Sequence, residues 1–458
     1  MNRIALSTLP LLDRNHPWLV WGMGDTGCSV ARYLRQSGIP CVLADSRDTP
    51  ELNAQLQAQF PGAELRLGNC NDLRWSDYGR VILSPGVPRA LPCVQQAIAS
   101  GVEVVGDVEL FARIATAPIV AVTGSNGKST VVHLLWSMTQ VAGWNGALGG
   151  NFGTPALDLL RTPEAELYVL ELSSFQLEST FSLRPAAAAI LNISEDHLDR
   201  YPDIAYYAAA KARIFGGAEI CVVNRDDPRV MSLVPRGQTR VSFGLDPPAA
   251  GQFGLRGTDP GPYWLAKGDE LLMPVAEMRL YGRHNIANAL AALALGAAVG
   301  LPLAAMLEAL RQYSGLPHRT QWVRELDGVT WLNDSKATNV GAAVAALNGL
   351  RDPVILLAGG QGKGQDFSLL RTAVAARARA VLLFGEDAPK LAAALEGACE
   401  VRQVPTLEEA VALAQTLAEP GDYVLLSPAC ASFDMFMGYA HRGERFAEQV
   451  CALQGRNN

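Results

Sequence analysis

Residues 119–130 read IVAVTGSNGKST. A β-branched run leads into a glycine turn, and Lys128, Ser129 and Thr130 follow at a predicted helix start. Such a turn lets backbone N–H groups converge on phosphate oxygens, and the helix N-terminus adds positive potential. Lys128 can reach the outer phosphates and Ser129 can ligate magnesium, so Gly124, Ser125, Asn126, Gly127, Lys128, Ser129 and Thr130 predict a nucleoside triphosphate site. The pattern has a gap. The glycine expected five residues before Gly127 is Val122, and Gly124 comes two residues later. Taken alone, the segment also reads as an ordinary strand-to-helix turn.

Other groups with chemical potential follow along the chain. Glu171 ends an apolar strand, where a carboxylate can hold magnesium or simply face water. In ELSSFQLE, two serines and a glutamine share that strand tip, which favours the ligand reading. The loop LNISEDHLDRY puts Glu195, Asp196, His197 and Asp199 after another buried strand, a place suited to metal or phosphate chemistry. Lys211, in AYYAAAKARIF, reads from its neighbours alone as a solvated surface lysine. Asn285 lies at a helix start, where capping is the simple role. Arg319 follows a Gly-Leu-Pro-His turn, where it can neutralise a phosphoryl group or mark an exposed hinge. NDSKATN (333–339) clusters Asp334, Ser335, Lys336, Thr338 and Asn339. With Lys363 in GGQGKG and Ser432 in SPACASFDMF, these residues suit a small dianion or are polar loops of an α/β domain.

The elements that must position these groups alternate strand and helix throughout. The chain has 458 residues, 49 % hydrophobic and 18 % charged, with a net charge of −7. That composition fits about three globular domains and argues against a dedicated nucleic-acid binder. Eight scattered cysteines without a C-x-x-C pair suggest a reducing compartment and no zinc site. Asp13 and Arg14 interrupt the short apolar N-terminus, so no secretory signal is expected. The uncharged run 289–307 is broken by Gly300-Leu301-Pro302, which predicts two packed helices instead of a membrane span. In the first block, a strand at 18–21 meets Gly22, Gly24 and Gly27, then a helix, then a strand ending near Asp45. This is a Rossmann half, and by itself it also admits an NAD-dependent oxidoreductase. Strands at 167–172, 187–192 and 219–223 build the second block; strands at 353–358, 380–384 and 423–426 build the third. We expect an α/β chain with domains at 1–106, 107–315 and 316–458.

Ten motifs in order give a resemblance over nearly the whole chain. TGSNGKST, GGNFG, ELSSFQLE, ISEDHLDRY, AAAKARIF, HNIANALAA, LPHR, NDSKATN, GGQGKG and SPACASFDMF together resemble the Mur ligases of peptidoglycan synthesis. The resemblance implies an N-terminal Rossmann-like domain for a uridine nucleotide, a central P-loop-type ATPase with a mostly parallel sheet, and a C-terminal Rossmann-like domain for an amino acid. It implies ATP-dependent addition of D-glutamate to UDP-N-acetylmuramoyl-L-alanine through an acyl phosphate. Sister ligases that use other amino acids are the alternative. By the same likeness, Lys128, Glu171, His197 and Lys211 would be catalytic. Ser129, Glu171, His197 and a carbamylated Lys211 would hold two magnesium ions. Asn285, Arg319 and Asp334 would serve ATP. Thr26, Asp45, Arg47, Gly86 and Asn151 would hold the uridine substrate. Lys336, Thr338, Lys363, Ser432 and Tyr439 would hold D-glutamate. A cytoplasmic monomer, without nucleic acid or membrane insertion, completes the expectation. Tyr439, Gln321 and Asp25 depart from residues found in some relatives, and the role of Asp25 stays open.

Overall fold

The computed structural model describes residues 16–69, 73–160, 163–194, 200–257, 262–280, 282–350, 353–362 and 364–455. The first sheet contains β1 (Trp18–Trp21), β2 (Cys41–Asp45), β3 (Glu64–Leu67), β4 (Arg80–Leu83) and β5 (Glu103–Gly106). They pair in parallel in the order β3-β2-β1-β4-β5. β1 and β4 are buried along their whole length, as parallel strands covered on both faces must be. The order reverses between β1 and β4, and a crevice opens there outside the strand ends. Glycine is required at this turn. Gly22 sits at φ +93°, and a Cβ on Gly27 would run into the Gly22 carbonyl oxygen. The helix expected after Gly27 already begins before it, spanning Asp25–Gln36.

The second sheet has nine strands: β6 (Ile119–Thr123), β7 (Gly146–Gly150), β8 (Leu167–Glu171), β9 (Ala187–Ile190), β10 (Ile220–Asn224), β11 (Arg240–Phe243), β12 (Phe253–Arg256), β13 (Trp264–Lys267) and β14 (Glu270–Pro274). Their order is β14-β13-β12-β11-β10-β9-β6-β8-β7. β6 lies between β8 and β9 and is parallel to both. The chain therefore leaves β6 at another reversal of strand order. The helix Lys128–Val141 starts just beyond it. Val122, where a full P-loop pattern wants glycine, is a fully buried residue of β6. The turn begins only after the strand has ended.

One apolar core runs through both sheets. The helix Asp107–Ile114 follows β5 directly, and Phe111 packs edge-on against Tyr168 of β8 with ring centres 4.9 Å apart. Glu109 on the same helix is fully buried. It accepts hydrogen bonds from the N–H groups of Phe181 and Ser182, from the Ser182 hydroxyl and from Arg113.

The third sheet contains β15 (Gln321–Leu326), β16 (Val329–Asn333), β17 (Val354–Gly359), β18 (Ala378–Phe384), β19 (Glu400–Gln403) and β20 (Tyr423–Leu426). The order is β15-β16-β20-β17-β18-β19, with only the β15–β16 pair antiparallel. The direction of winding changes between β17 and β20. Loops after β16, β17 and β20 therefore gather at one end of this sheet.

By compactness the chain forms two units. One holds the first sheet and most of the second: residues up to Arg256, Leu265–Leu272 and Asn288–Ala309. The other holds Met273–Ala287 and the chain from Leu310 onward. The alanine-rich run forms two helices, Arg283–Ala298 and Leu303–Gln312, as its Gly-Leu-Pro break predicted. Among the described residues no helix is long and apolar enough to cross a membrane. The α/β expectation, with three mostly parallel sheets, holds.

Candidate active site

A cavity of about 470 Å³ opens at the crevice of the first sheet, and Thr26, Asp45, Arg47, Gly86 and Asn151 all line it. The sequence-predicted uridine-site residues are thus brought together. Asp45 is 5 % exposed and its carboxylate is already engaged. One oxygen accepts from the Met23 N–H at 2.7 Å and from Arg47 Nη2 at 2.8 Å; the other accepts from Arg47 N and Nε, both at 2.9 Å. Burial alone would raise this carboxyl, but those bonds outweigh it and hold the pKa down at about 2. In a dinucleotide site the corresponding carboxylate would take ribose hydroxyls. Here it braces Arg47, whose guanidinium is left mostly exposed at the cavity.

The phosphate turn lies beyond the same cavity. Gly124 and Gly127 have φ of +151° and +85°. A Cβ on Gly127 would stand 2.5 Å from Asn288 Oδ1. Lys128 Nζ donates to the carbonyls of Gly124 and Ser125 at 3.0 and 2.9 Å. Lys211 Nζ donates to the same Gly124 oxygen at 2.9 Å and lies 4.5 Å from the Tyr207 ring centre. Lys211 is 2 % exposed, so the surface reading drawn from its neighbours is wrong. Its helix, Ile204–Ala212, turns it beneath the loop. Two lysine nitrogens thus converge on one carbonyl oxygen of the turn.

Glu171, at the tip of β8, is 2 % exposed and is no surface carboxylate. Ser129 Oγ donates to its Oε2 at 2.7 Å, and Asn151 Nδ2 donates to its Oε1 at 2.8 Å. A hydroxyl and a carboxylate at this spacing suit a hard cation such as magnesium. Beside them, the ELSSFQLE polar residues do something else. Ser173 and Gln176 form a reciprocal capping box on the short helix Ser174–Glu178. Their spacing, Ser followed three residues later by Gln, is the signal that the ligand reading passed over.

Asn192 fastens the loop after β9 to the phosphate turn. Its Oδ1 accepts from Asn126 N at 2.8 Å, its Nδ2 donates to Asn126 O, and its carbonyl accepts from Ser125 N. Ser125 Oγ also exchanges bonds with the Ser194 backbone. Sequence reasoning missed Asn288 altogether, because only the folded chain brings it against Gly127. His197 and Lys363 lie outside the described residues.

In the second unit, Asp334, Lys336, Thr338, Arg319, Ser432 and Tyr439 cluster around the ends of β16 and β20. Asp334 is buried and accepts from Ser427 Oγ at 2.8 Å and from Thr320 N at 3.0 Å. Burial raises its carboxyl to about 6, against the lowering effect of those bonds and of Arg319. The Arg319 turn is conformationally demanding, with His318 and Thr320 at φ +63° and +44°. Gln321 steadies it by accepting from the His318 N–H at 3.1 Å. Lys336 Nζ stands 5.1 Å from the Tyr439 ring centre, and Ser335 Oγ donates to the Tyr439 carbonyl. Ser432 is buried nearby in sequence to these contacts, after β20. Asn339 caps the helix Val340–Gly349 through Ala342 N. Asn285 is buried in the first turn of Arg283–Ala298, inside the helix and not at its cap.

Comparison with known proteins identifies the family. Family models match in chain order: a Mur ligase MurD-like N-terminal domain over residues 16–106, a Mur ligase middle domain over 122–296, and a Mur ligase glutamate ligase domain over 318–430. The chain is 50 % identical over 434 residues to a UDP-N-acetylmuramoylalanine–D-glutamate ligase of Nitrosococcus oceani, covering 94 % of this chain and 96 % of the relative. It is 50 % identical over 446 residues to the enzyme of that name from Pseudomonas aeruginosa, covering 96 % and 99 %. The fold is similar to UDP-N-acetylmuramate–alanine ligase of Thermotoga maritima, with a TM-score of 0.56 at 19 % identity over 95 % of this chain and 99 % of that one. It is also similar to a UDP-N-acetylmuramoyl-L-alanyl-D-glutamate–2,6-diaminopimelate ligase, with a TM-score of 0.57 at 19 % identity over 91 % and 88 %. With the phosphate turn, the first-sheet cavity and the three-sheet architecture in place, the chain belongs to the Mur ligase family.

Proposed function

We propose that this chain adds D-glutamate to UDP-N-acetylmuramoyl-L-alanine at the expense of ATP, in peptidoglycan precursor synthesis. One observation carries the reading. Asn151 lines the first-sheet cavity and also donates to Glu171, the carboxylate bonded to Ser129 of the phosphate turn. A nucleotide substrate in that cavity would point its far end at the phosphates. The half-identical relatives named as D-glutamate ligases favour this substrate over those of the sister enzymes.

In this reading the L-alanine carboxylate attacks the γ-phosphorus of ATP, giving an acyl phosphate and ADP. The amine of D-glutamate then attacks the acyl carbon. Loss of a proton and departure of phosphate leave the amide. Lys128 and the N–H groups of the turn hold the triphosphate, and their charge lowers the cost of bringing two anions together. Ser129 and Glu171 fit one magnesium ion, which would neutralise phosphate charge. Lys211, as its carbamate, and His197 would hold a second. A carbamate keeps one N–H, so the bond to Gly124 O is compatible with it. Asn285, Arg319 and Asp334 would serve ATP. Thr26, Arg47, Gly86 and Asn151 would hold the uridine substrate, with Asp45 bracing Arg47. Lys336, Thr338, Lys363, Ser432 and Tyr439 would hold the amino acid. We assign the domains to 1–106, 107–315 and 316–458, and the activity to a cytoplasmic monomer.

The test is phosphate release from ATP with UDP-N-acetylmuramoyl-L-alanine and a panel of amino acids. Release that requires D-glutamate is expected. Release with L-alanine, glycine or a diamino acid but none with D-glutamate would move the chain to a sister activity.

A further inference from the structure

Among the described residues of the second unit, Arg442 is the most deeply buried cationic side chain, with no solvent exposure. It projects from the first turns of the helix Tyr439–Ala452. Its guanidinium meets oxygen atoms from three separate loops. Nε donates to Ser335 Oγ at 2.9 Å and Nη2 to Ser335 O at 2.9 Å, after β16. Nη1 reaches Gly359 O at 3.3 Å, at the end of β17. Nη2 donates to Cys430 O at 3.1 Å and Nη1 to Ala431 O at 3.4 Å, after β20. These acceptors are neutral. Burial pulls the guanidinium down to about 10, which leaves it charged at neutral pH.

A buried cation bonded to neutral oxygens is costly, so its retention calls for a reason beyond packing. The loops it joins are difficult ones. Ala429 holds φ +59°, a conformation that disfavours a side chain, and Gly359 and Gly360 sit at +131° and +121°. A Cβ on Gly360 would collide with the Ala431 carbonyl oxygen. Two of the joined loops neighbour residues assigned above to the amino acid: Ser335 precedes Lys336, and Ala431 precedes Ser432. Ser335 Oγ in turn donates to the carbonyl of Tyr439. A planar five-donor fork can hold five acceptors in fixed directions; a three-donor ammonium on a flexible stem cannot reach them all.

We propose that Arg442 is the positioning residue of the amino-acid pocket, clamping the loops after β16, β17 and β20 so that Lys336, Ser432 and Tyr439 converge on one substrate. The proposal rests on the assignment of this pocket to D-glutamate. Arg442 itself makes no contact with substrate in this account.

Steady-state kinetics on the full chain, with Arg442→Lys and Ser335→Ala, provide the test. Arg442→Lys keeps the charge and loses the fork; Ser335→Ala removes one acceptor and is the milder change. Thermal unfolding reports folding, and if Arg442→Lys does not fold, Ser335→Ala alone decides. We expect the KM for D-glutamate to rise by about tenfold or more in Arg442→Lys, equivalent to losing one good charged hydrogen bond. Ser335→Ala should rise less, in the same direction. The KM for the uridine nucleotide should stay within about twofold. Unchanged KM for D-glutamate in the folded variants overturns the proposal. So does an equal rise for all substrates, which is the mark of general loosening. Wild-type chain that shows no D-glutamate-dependent turnover would instead overturn the substrate assignment.

Discussion

Two lysines meet at the carbonyl of Gly124, and the functional account begins with that oxygen. Lys128 bonds the turn's own carbonyls from a half-buried position, while Lys211 is fixed by burial. Lys128→Ala should cut phosphate release by about a hundredfold or more, measured under saturating substrates. Lys211→Ala should lose most activity, and millimolar acetate should restore part of it if a carboxylate is what the position supplies. Full activity without acetate would refute the carbamate assignment. Asp334 makes a pH prediction. Its carboxyl is raised from 3.8 to about 6 in the folded chain. Its protonated form therefore supports folding below pH 3.8, and that support is lost as pH rises through 6. Asp334→Asn should remove this pH dependence from the unfolding midpoint. If the anion serves ATP, kcat/KM for ATP in the wild type should fall below pH 6, and the variant should lack that limb.

At the scale of elements, two devices set the geometry. The first is the phosphate turn, where Gly127 faces Asn288 in a left-handed conformation. Gly127→Ala meets both a backbone cost of about 1–2 kcal/mol and the Asn288 side chain. The KM for ATP should rise steeply in that variant while the uridine nucleotide still binds, as titration calorimetry can check. The second is Glu109, which ties the helix after β5 to the segment before β9. Burial would raise its carboxyl, but bonds from Phe181, Ser182 and Arg113 prevail and lower it. Glu109→Ala strands those donors and should cost about 3 kcal/mol in chemical denaturation. These elements were unequally legible. The phosphate turn, the Gly22–Gly27 turn and the Gly-Leu-Pro break are local, so residue order reveals them. The Ser173–Gln176 capping box is equally local, yet its polar residues counted there only as support for Glu171 as a ligand, since polar side chains at a strand tip serve either purpose. Asn192 and Arg442 bond backbone that is remote in sequence, and Asn288 stands against Gly127; only the folded chain brings these partners together. The burial of Lys211 and Glu171 was hidden for the same reason: a lone charged residue among small neighbours reads alike on either side of a sheet.

For the whole molecule, each unit carries part of the chemistry. The first holds the first-sheet cavity and the phosphate turn, joined by the Asn151–Glu171–Ser129 chain of hydrogen bonds. The second holds the loops that Arg442 gathers. An oxidoreductase on the N-terminal glycines would use only the first cavity and would leave the other features without a role. The central claim is that a carboxylate is activated by phosphoryl transfer and then captured by an amine. Isotope transfer tests it most directly. UDP-N-acetylmuramoyl-L-alanine labelled with ¹⁸O in the alanine carboxylate is turned over with ATP and D-glutamate, and the released phosphate is analysed by mass spectrometry. The account predicts one ¹⁸O in each phosphate released, with the other kept in the new amide. Phosphate without ¹⁸O would mean that water, not the substrate carboxylate, takes the phosphoryl group, and would contradict it.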